Sequence, residues 1–396
     1  MATKDIKKFG FFDSERILFY SFCLMLFLLP MTKSPALIAG GLTIALWVFS
    51  GRFIKDIGAL FKQQWAKPVL LFILLPWLGL VWTNDFEKGL EFAQKSYYWL
   101  FAFAIITISH KRAVNLIWAF IAGLSLNVMV SISQYIGIIP YLRQDFATGL
   151  LTGFNPYISY SLILVLGMVI LSFVFGNADK RWQKVLIIIL IASYILNLSI
   201  IHGRSGYIAF LILLPLIIFN IAGKKHFIKG LIAVVLISVV FLFSPMVQHR
   251  INLIKEEVSL YYQGHKGTSV GLRLYVWENS IKIFMNNPLI GVGTGGFAKS
   301  LEGVNSEPSL LTLDQPHNSF LYMATSFGLI GVFSILWLFV VFLKKGWRYR
   351  NNLVGYSALL FGIILIIGSM TDNQILSRIT GILLAVFMGI RAEKDE

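Results

Sequence analysis

Apolar blocks nearly free of charge recur from one end of the chain to the other, and each is long enough to rule out an ordinary soluble core. They fall near 17–32, 34–50, 68–82, 92–109, 113–137, 156–176, 185–201, 205–222, 228–246, 317–343, 353–370 and 375–390. A hydrocarbon layer of about 30 Å needs roughly 17–25 apolar residues in helical form, fewer when neighbours or flanking residues adapt. Composition agrees. The 396 residues are 57% hydrophobic and 13% charged, against about 45–50% and about 25% in soluble domains. The pattern predicts an all-α, polytopic integral membrane protein of about twelve transmembrane helices, forming a single membrane domain over 1–396.

The formal net charge of +15 would suggest nucleic acid in a soluble chain, but the placement of the charges gives another meaning. Twenty-two of the 34 basic residues fall in alternate loops and at the termini, among them Lys62, Lys67, Lys111, Arg112, Lys180, Arg181, Lys224, Lys225, Lys344 and Arg348. The intervening short segments hold only Lys33, Lys88, Lys95, Arg143, Arg204 and Arg378. Basic loops stay cytoplasmic, so both termini are expected inside and no nucleic-acid partner is expected. Cys23, the single cysteine, excludes an internal disulfide and a thiolate metal site. The first block is followed by Leu29-Pro30-Met31-Thr32-Lys33, not a small-x-small cleavage site, and is read as a retained span.

One loop breaks the scale. Residues 247–316 form an outer segment of about 70 residues where others have a handful, and loops above about 15 residues are functional or disordered. Apolar residues at helical spacing (Val247, Ile251, Ile254, Val258, Tyr261, then Val270, Leu274, Trp277, Ile281, Phe284) predict two amphipathic helices. Gly264 to Gly267 reads as the turn between them, and Asn286-Asn287-Pro288 as the stop of the second.

Three outer-facing places offer chemistry. Arg204 lies within His202-Gly203-Arg204-Ser205-Gly206-Tyr207. It either snorkels to headgroups or binds an anion, the glycines letting a phosphate come close. Arg273 is either a solvated helix residue or a second anion ligand. His317, in Pro316-His317-Asn318, is an imidazole at the mouth of a span, where a general base would stand. Asp314 or Gln315 is expected to cap the helix that follows, with Pro316 in its first turn. Gly291-Val292-Gly293-Thr294-Gly295-Gly296 lacks the Lys-Ser/Thr ending of a phosphate loop and reads as a tight backbone turn. No Asp-x-Asp occurs, so no metal site is expected, and arginine would have to stabilise a departing diphosphate.

Together these features resemble the O-antigen ligase and polymerase family of membrane glycosyltransferases. His317-Asn318, nine residues, then Gly328-Leu329-Ile330-Gly331 is similar to the family's His-(Asn/Ser/Gln)-x9-Gly-x-x-Gly pattern. Arg273 and Trp277, with Pro288-Leu289-Ile290-Gly291-Val292-Gly293, resemble its Arg…Trp…Pro-Leu-x-Gly-x-Gly stretch, and Arg204-Ser205-Gly206 its arginine before a span. The resemblance implies a GT-C-like membrane fold and transfer of a glycan from undecaprenyl diphosphate to a hydroxyl, with inversion and without metal or other cofactor. His317 would be the base, Arg204 and Arg273 the diphosphate ligands, and Asn318 and Asp314 supporting residues. The expected partners are the lipid-linked donor, lipid A–core and membrane lipids, at the periplasmic face of a bacterial inner membrane. Compact length and short termini favour a ligase over a polymerase. A lipid-linked oligosaccharide flippase is the other class with about twelve spans, but transporters show repeat symmetry and ionisable residues within their spans. Here the polar residues gather on one face.

Overall fold

The computed structural model describes residues 14–140, 157–201, 203–242, 245–304 and 313–392. His202, Arg143, Asp145, Glu307, Lys4, Lys7, Lys8 and Lys394 lie outside them, as do the side chains of Val247 and Ile251. The described residues are helical, with no strand. In order they form α1 (Ser14–Leu28), α2 (Ser34–Phe49), α3 (Arg52–Phe61), α4 (Ala66–Leu78) and α5 (Phe86–Gln94). A broken stretch follows, with α6 (Leu100–Ala104) between 3-10 turns at Lys95–Trp99 and Ile105–Thr107. Then come α7 (His110–Tyr135), α8 (Tyr157–Gly176), α9 (Arg181–Ile200), α10 (Arg204–Leu242), α11 (Pro245–Tyr262), α12 (Ser269–Asn286), α13 (Phe297–Val304), α14 (Ser319–Arg348), α15 (Leu353–Ser369) and α16 (Arg378–Gly389).

Over the described residues each predicted apolar block falls on helix, the blocks at 205–222 and 228–246 sharing α10, whose backbone leaves helical geometry between them at Gly223 (φ 71°, ψ 168°). Among the described residues five helices (α7, α8, α9, the 204–236 part of α10, and α14) are long and apolar enough to cross a membrane, and four shorter apolar ones, α2, α4, α15 and α16, have 10–17 residues. The block at 92–109 is not the continuous helix expected. Its aromatic and β-branched run, Tyr97-Tyr98-Trp99 and Ile105-Ile106-Thr107, has low helix propensity. It tightens into 3-10 turns while α16 comes so close that a Cβ on Gly389 would lie 1.9 Å from the Ala102 carbonyl oxygen. The amphipathic α3 and the short α5 are not foreseen by hydropathy.

α8 is apolar on all sides and occupies the centre, packed on α9, α10 and α15. In its crossing window 78% of residues are buried, against 28% for α9 and 22% for α10, whose bare apolar faces suit lipid. The helix ends sort into two groups. At one end, Arg112 pairs with Glu15 at 2.7 Å, Arg391 Nε donates to the Ile106 carbonyl, and Asn352 Nδ2 donates to that of Ala392. There Lys345 Nζ also donates to the terminal carbonyls of α16 at Phe387 and Ile390, placing a cation on a helix C-terminus. At the other end lie the starts of α8, α10 and α14 and the 370–377 hairpin between α15 and α16, joined by the hydrogen bonds described below. These are the two groups into which the charge pattern divides the loops.

In the outer segment, helices and stops fall where periodicity predicts them. α11 and α12 meet at a turn with Gly264 at φ 93°, and α12 ends at Asn286. The buried face of α12 differs from the expected stripe. Gly271, Tyr275, Val276, Asn279, Ser280 and Ile283 face inward, while Ile281 is exposed. The helix packs on α14 and α13, and Val276 and Ile283 form a small core with Phe297 and Leu301 of α13. Tyr261 donates to Glu278 Oε2 at 2.6 Å across the α11–α12 pair.

Candidate active site

The glycine-rich loop 291–296 is built into a helix break. Gly328 sits at φ 61°, ψ −146° within α14, where the regular ladder fails. The carbonyls of Thr325 and Ser326 take the N–H groups of Val292 and Gly293, both at 2.9 Å, and Leu329 N donates to the Pro288 carbonyl at 2.8 Å. A Cβ on Gly328 would lie 2.4 Å from the Leu289 carbonyl carbon. On its other side the loop meets the C-terminal end of α4. Thr294 Oγ1 donates to the Pro76 carbonyl at 2.6 Å, and Thr294 N to that of Gly79 at 3.2 Å. Val292, Gly293 and Thr294 therefore satisfy carbonyls left free at the α14 break and at the C-terminal end of α4, consistent with the tight-turn reading.

That anchorage fixes the start of α14. Its cap is Asn318, not Asp314 or Gln315: Asn318 Oδ1 accepts from Phe320 N and Leu321 N at 2.9 and 3.1 Å, and Nδ2 donates to the Met370 carbonyl. A short amide with extended φ/ψ is a better N-cap than a residue on the far side of Pro316. Pro316 consequently lies before the helix, not in its first turn. His317 falls just outside the helix at φ 49°, the one non-glycine residue with positive φ among those described. Its Nδ1 lies 3.0 Å from Asp372 Oδ1, with the two side chains 38% and 21% exposed. An ionised carboxylate only accepts, so in this contact Nδ1 is the donor, and a neutral imidazole held this way has its lone pair on Nε2. Asp314 is exposed and has no hydrogen bond to His317.

The 370–377 hairpin gathers the remaining parts. Thr371 Oγ1 and Ser205 Oγ are 2.6 Å apart, which ties the residue beside Arg204 to the residue beside Asp372. Ser319 Oγ accepts from Gln374 N, and Gln374 Oε1 accepts from Ser159 Oγ at the start of α8. Arg204 is exposed at the first position of α10. The glycines around it serve a different purpose from the one expected. A Cβ on Gly203 or Gly206 would lie within 2.5 Å of the Ser161 side chain, so they allow α10 to close on α8. Arg273 is half-buried on α12, one turn before Trp277, whose Nε1 donates to the Pro316 carbonyl at 3.1 Å. His317 is thus joined to Arg204's neighbourhood through Asp372 and Thr371, and to Arg273's helix through Trp277.

Asp372 is not among the residues that the sequence motifs single out. No local signal selects it, because 55 residues separate it from His317. Among the described residues, no group of three His, Cys, Asp or Glu side chains is placed to hold a metal ion.

Residues 189–336 match the family model described as O-antigen ligase. The chain is 24% identical over 232 residues to a protein of Escherichia coli K12 named O-antigen ligase, covering 56% of this chain and 53% of that one. It is 25% identical over 152 residues to an uncharacterized protein of Haemophilus influenzae, covering 36% of this chain and 38% of the relative. The matches therefore span about half of the first relative and less of the second. The matched region, residues 189–336, holds Arg204, Arg273, His317 and the Gly328 break together, and over it the chain resembles the O-antigen ligase family.

Proposed function

We propose that this protein is an O-antigen ligase that moves a glycan from undecaprenyl diphosphate to a sugar hydroxyl of lipid A–core. In this reading the chain crosses a bacterial inner membrane twelve times with both termini cytoplasmic, and residues 247–316 form its periplasmic loop. The acceptor oxygen attacks the anomeric carbon from the side opposite the diphosphate, with inversion. A C–O bond to the acceptor forms and the bond to the diphosphate breaks. The electron pair leaves with the diphosphate, and the hydroxyl proton passes to His317 Nε2. Asp372 orients the imidazole and balances its developing charge. Arg204 and Arg273 hold the diphosphate with planar donor forks, which suit phosphate better than a lysine point charge.

The observation that carries the reading is the His317–Asp372 pair at 3.0 Å, on the same end as both arginines. A base needs its second nitrogen free and its tautomer fixed, and a carboxylate at Nδ1 provides both. The description of the matched family favours ligase over polymerase.

The test measures donor binding and glycan transfer for purified variants, with EDTA present throughout. His317→Ala should lose about 10²–10⁴-fold in turnover while still binding the lipid diphosphate. Arg204→Ala and Arg273→Ala should weaken donor binding as well, with lysine restoring each only in part. Transfer by His317→Ala at the wild-type rate would refute the assignment of the base. Cells lacking the protein should accumulate long polymer on its lipid carrier beside uncapped core. Core capped with a single repeat would instead indicate a polymerase.

A further inference from the structure

Trp277 makes a polar contact that packing alone does not require. Its ring lies against a small core of the outer segment, formed by Val276, Ile283, Phe297 and Leu301, yet its N–H is directed at the carbonyl of Pro316. That carbonyl belongs to the peptide immediately before His317. Rotation about the N–Cα bond of His317 swings this peptide, so a bond to the Pro316 oxygen restrains the φ of His317 directly. The restraint acts on a backbone that needs one. At φ 49° His317 occupies the left-handed region, sparsely populated by residues with a Cβ. On the following side Asn318 is already fixed by the α14 cap and the Met370 carbonyl. The His317 Cα, and with it the imidazole on Asp372, is therefore tied from both flanking peptides, and without the indole bond it is held from one side only.

We propose that Trp277 is a positioning residue that holds His317 in its left-handed conformation and thereby keeps the imidazole on Asp372. The proposal rests on the reading of His317 as the base, but it also has a consequence independent of transfer. Trp277→Phe keeps a ring in the small core and removes only the donor. In the purified full-length protein, carbethoxylation of His317 by diethyl pyrocarbonate is followed by peptide mass spectrometry at fixed pH. Trp277→Phe should raise the rate about 3- to 10-fold, the order expected from losing one hydrogen bond. Asp372→Asn should raise it similarly, and the double variant should react no faster than either single one. In the transfer assay Trp277→Phe should lower kcat by a comparable factor with donor KM unchanged, an effect absent in the Asp372→Asn background.

Equal reactivity of His317 in wild type and Trp277→Phe would overturn the proposal, as would a double variant whose rate is the product of the single effects. If Trp277→Phe does not fold, Trp277→Gln takes its place, since its amide can reach for the same carbonyl. It should then react at close to the wild-type rate, and reactivity matching Asp372→Asn would count against the proposal. If the wild type transfers no glycan but the modification pattern appears, the positioning role stands and the ligase reading falls.

Discussion

His317 and Asp372 form a site that neither residue defines alone. A lone neutral imidazole exchanges between tautomers, while one held through Nδ1 by a carboxylate keeps its lone pair on Nε2. Asp314 stands three residues from His317 in sequence, but no hydrogen bond joins the two. The comparison of these two acids is therefore a sharp test. Asp372→Asn should remove a large part of the turnover and leave donor affinity intact. Asp314→Asn should change neither by more than the scatter of the assay. Steady-state transfer with both substrates varied separates these outcomes, and loss of activity in Asp314→Asn alone would reassign the orienting carboxylate. The exposure of Arg204 and the half-burial of Arg273 suit residues that meet a ligand more than residues that hold helices together.

Among the elements, the unusual feature is a loop that pairs with one interrupted helix and with the end of another. Gly328 interrupts α14, α4 ends at Leu78, and residues 288–294 supply partners to the backbone groups left free at both places. Membrane helices tolerate such breaks only where neighbouring groups restore the hydrogen bonds. The pairing also sets the direction of the first three turns of α14, and so the place of His317 at its mouth. Gly328→Ala should be destabilising by about 1–3 kcal/mol from the strained backbone alone, and by more because its Cβ would lie 2.4 Å from Leu289. Thermal unfolding in detergent should show the lowered midpoint, together with reduced transfer. Gly303→Ala, at an open position with nothing near the added carbon, should leave both unchanged. A Gly328→Ala protein as stable as wild type would mean that the break is not a structural requirement.

Across the whole molecule, the two groups of helix ends give the charge pattern a physical counterpart. Glu15, Arg112, Lys345, Asn352 and Arg391 meet at one end, while Ser159, Ser205, His317 and the 370–377 hairpin meet at the other. If the first end is cytoplasmic, single cysteines at Ser259 and Asn351 in a Cys23→Ser background should behave oppositely. Both native residues are exposed. In intact spheroplasts an impermeant thiol reagent should label the cysteine at 259 and spare the one at 351. Labelling of the second alone would invert the topology and move the site to the cytoplasmic face.

Local patterns in the amino-acid sequence locate the helices, including the two within residues 247–316 with their turn and stop. Those patterns are apolar runs and glycine and proline punctuation. The sequence also pointed to Arg204, Arg273 and His317, because their motifs are short. What only the tertiary structure decided are pairings between distant segments. Asp372 reaches His317, Trp277 reaches Pro316 and Thr371 reaches Ser205 across separations of 55, 39 and 166 residues. The glycines beside Arg204 lie where an added Cβ would meet Ser161 of α8, and the face that α12 buries (Gly271, Tyr275, Val276, Asn279, Ser280 and Ile283) is displaced from its predicted apolar stripe. Hydropathy sees only how greasy a face is. Which neighbour a helix meets, and how closely, depends on the space that neighbour leaves, and that is a property of the assembled bundle.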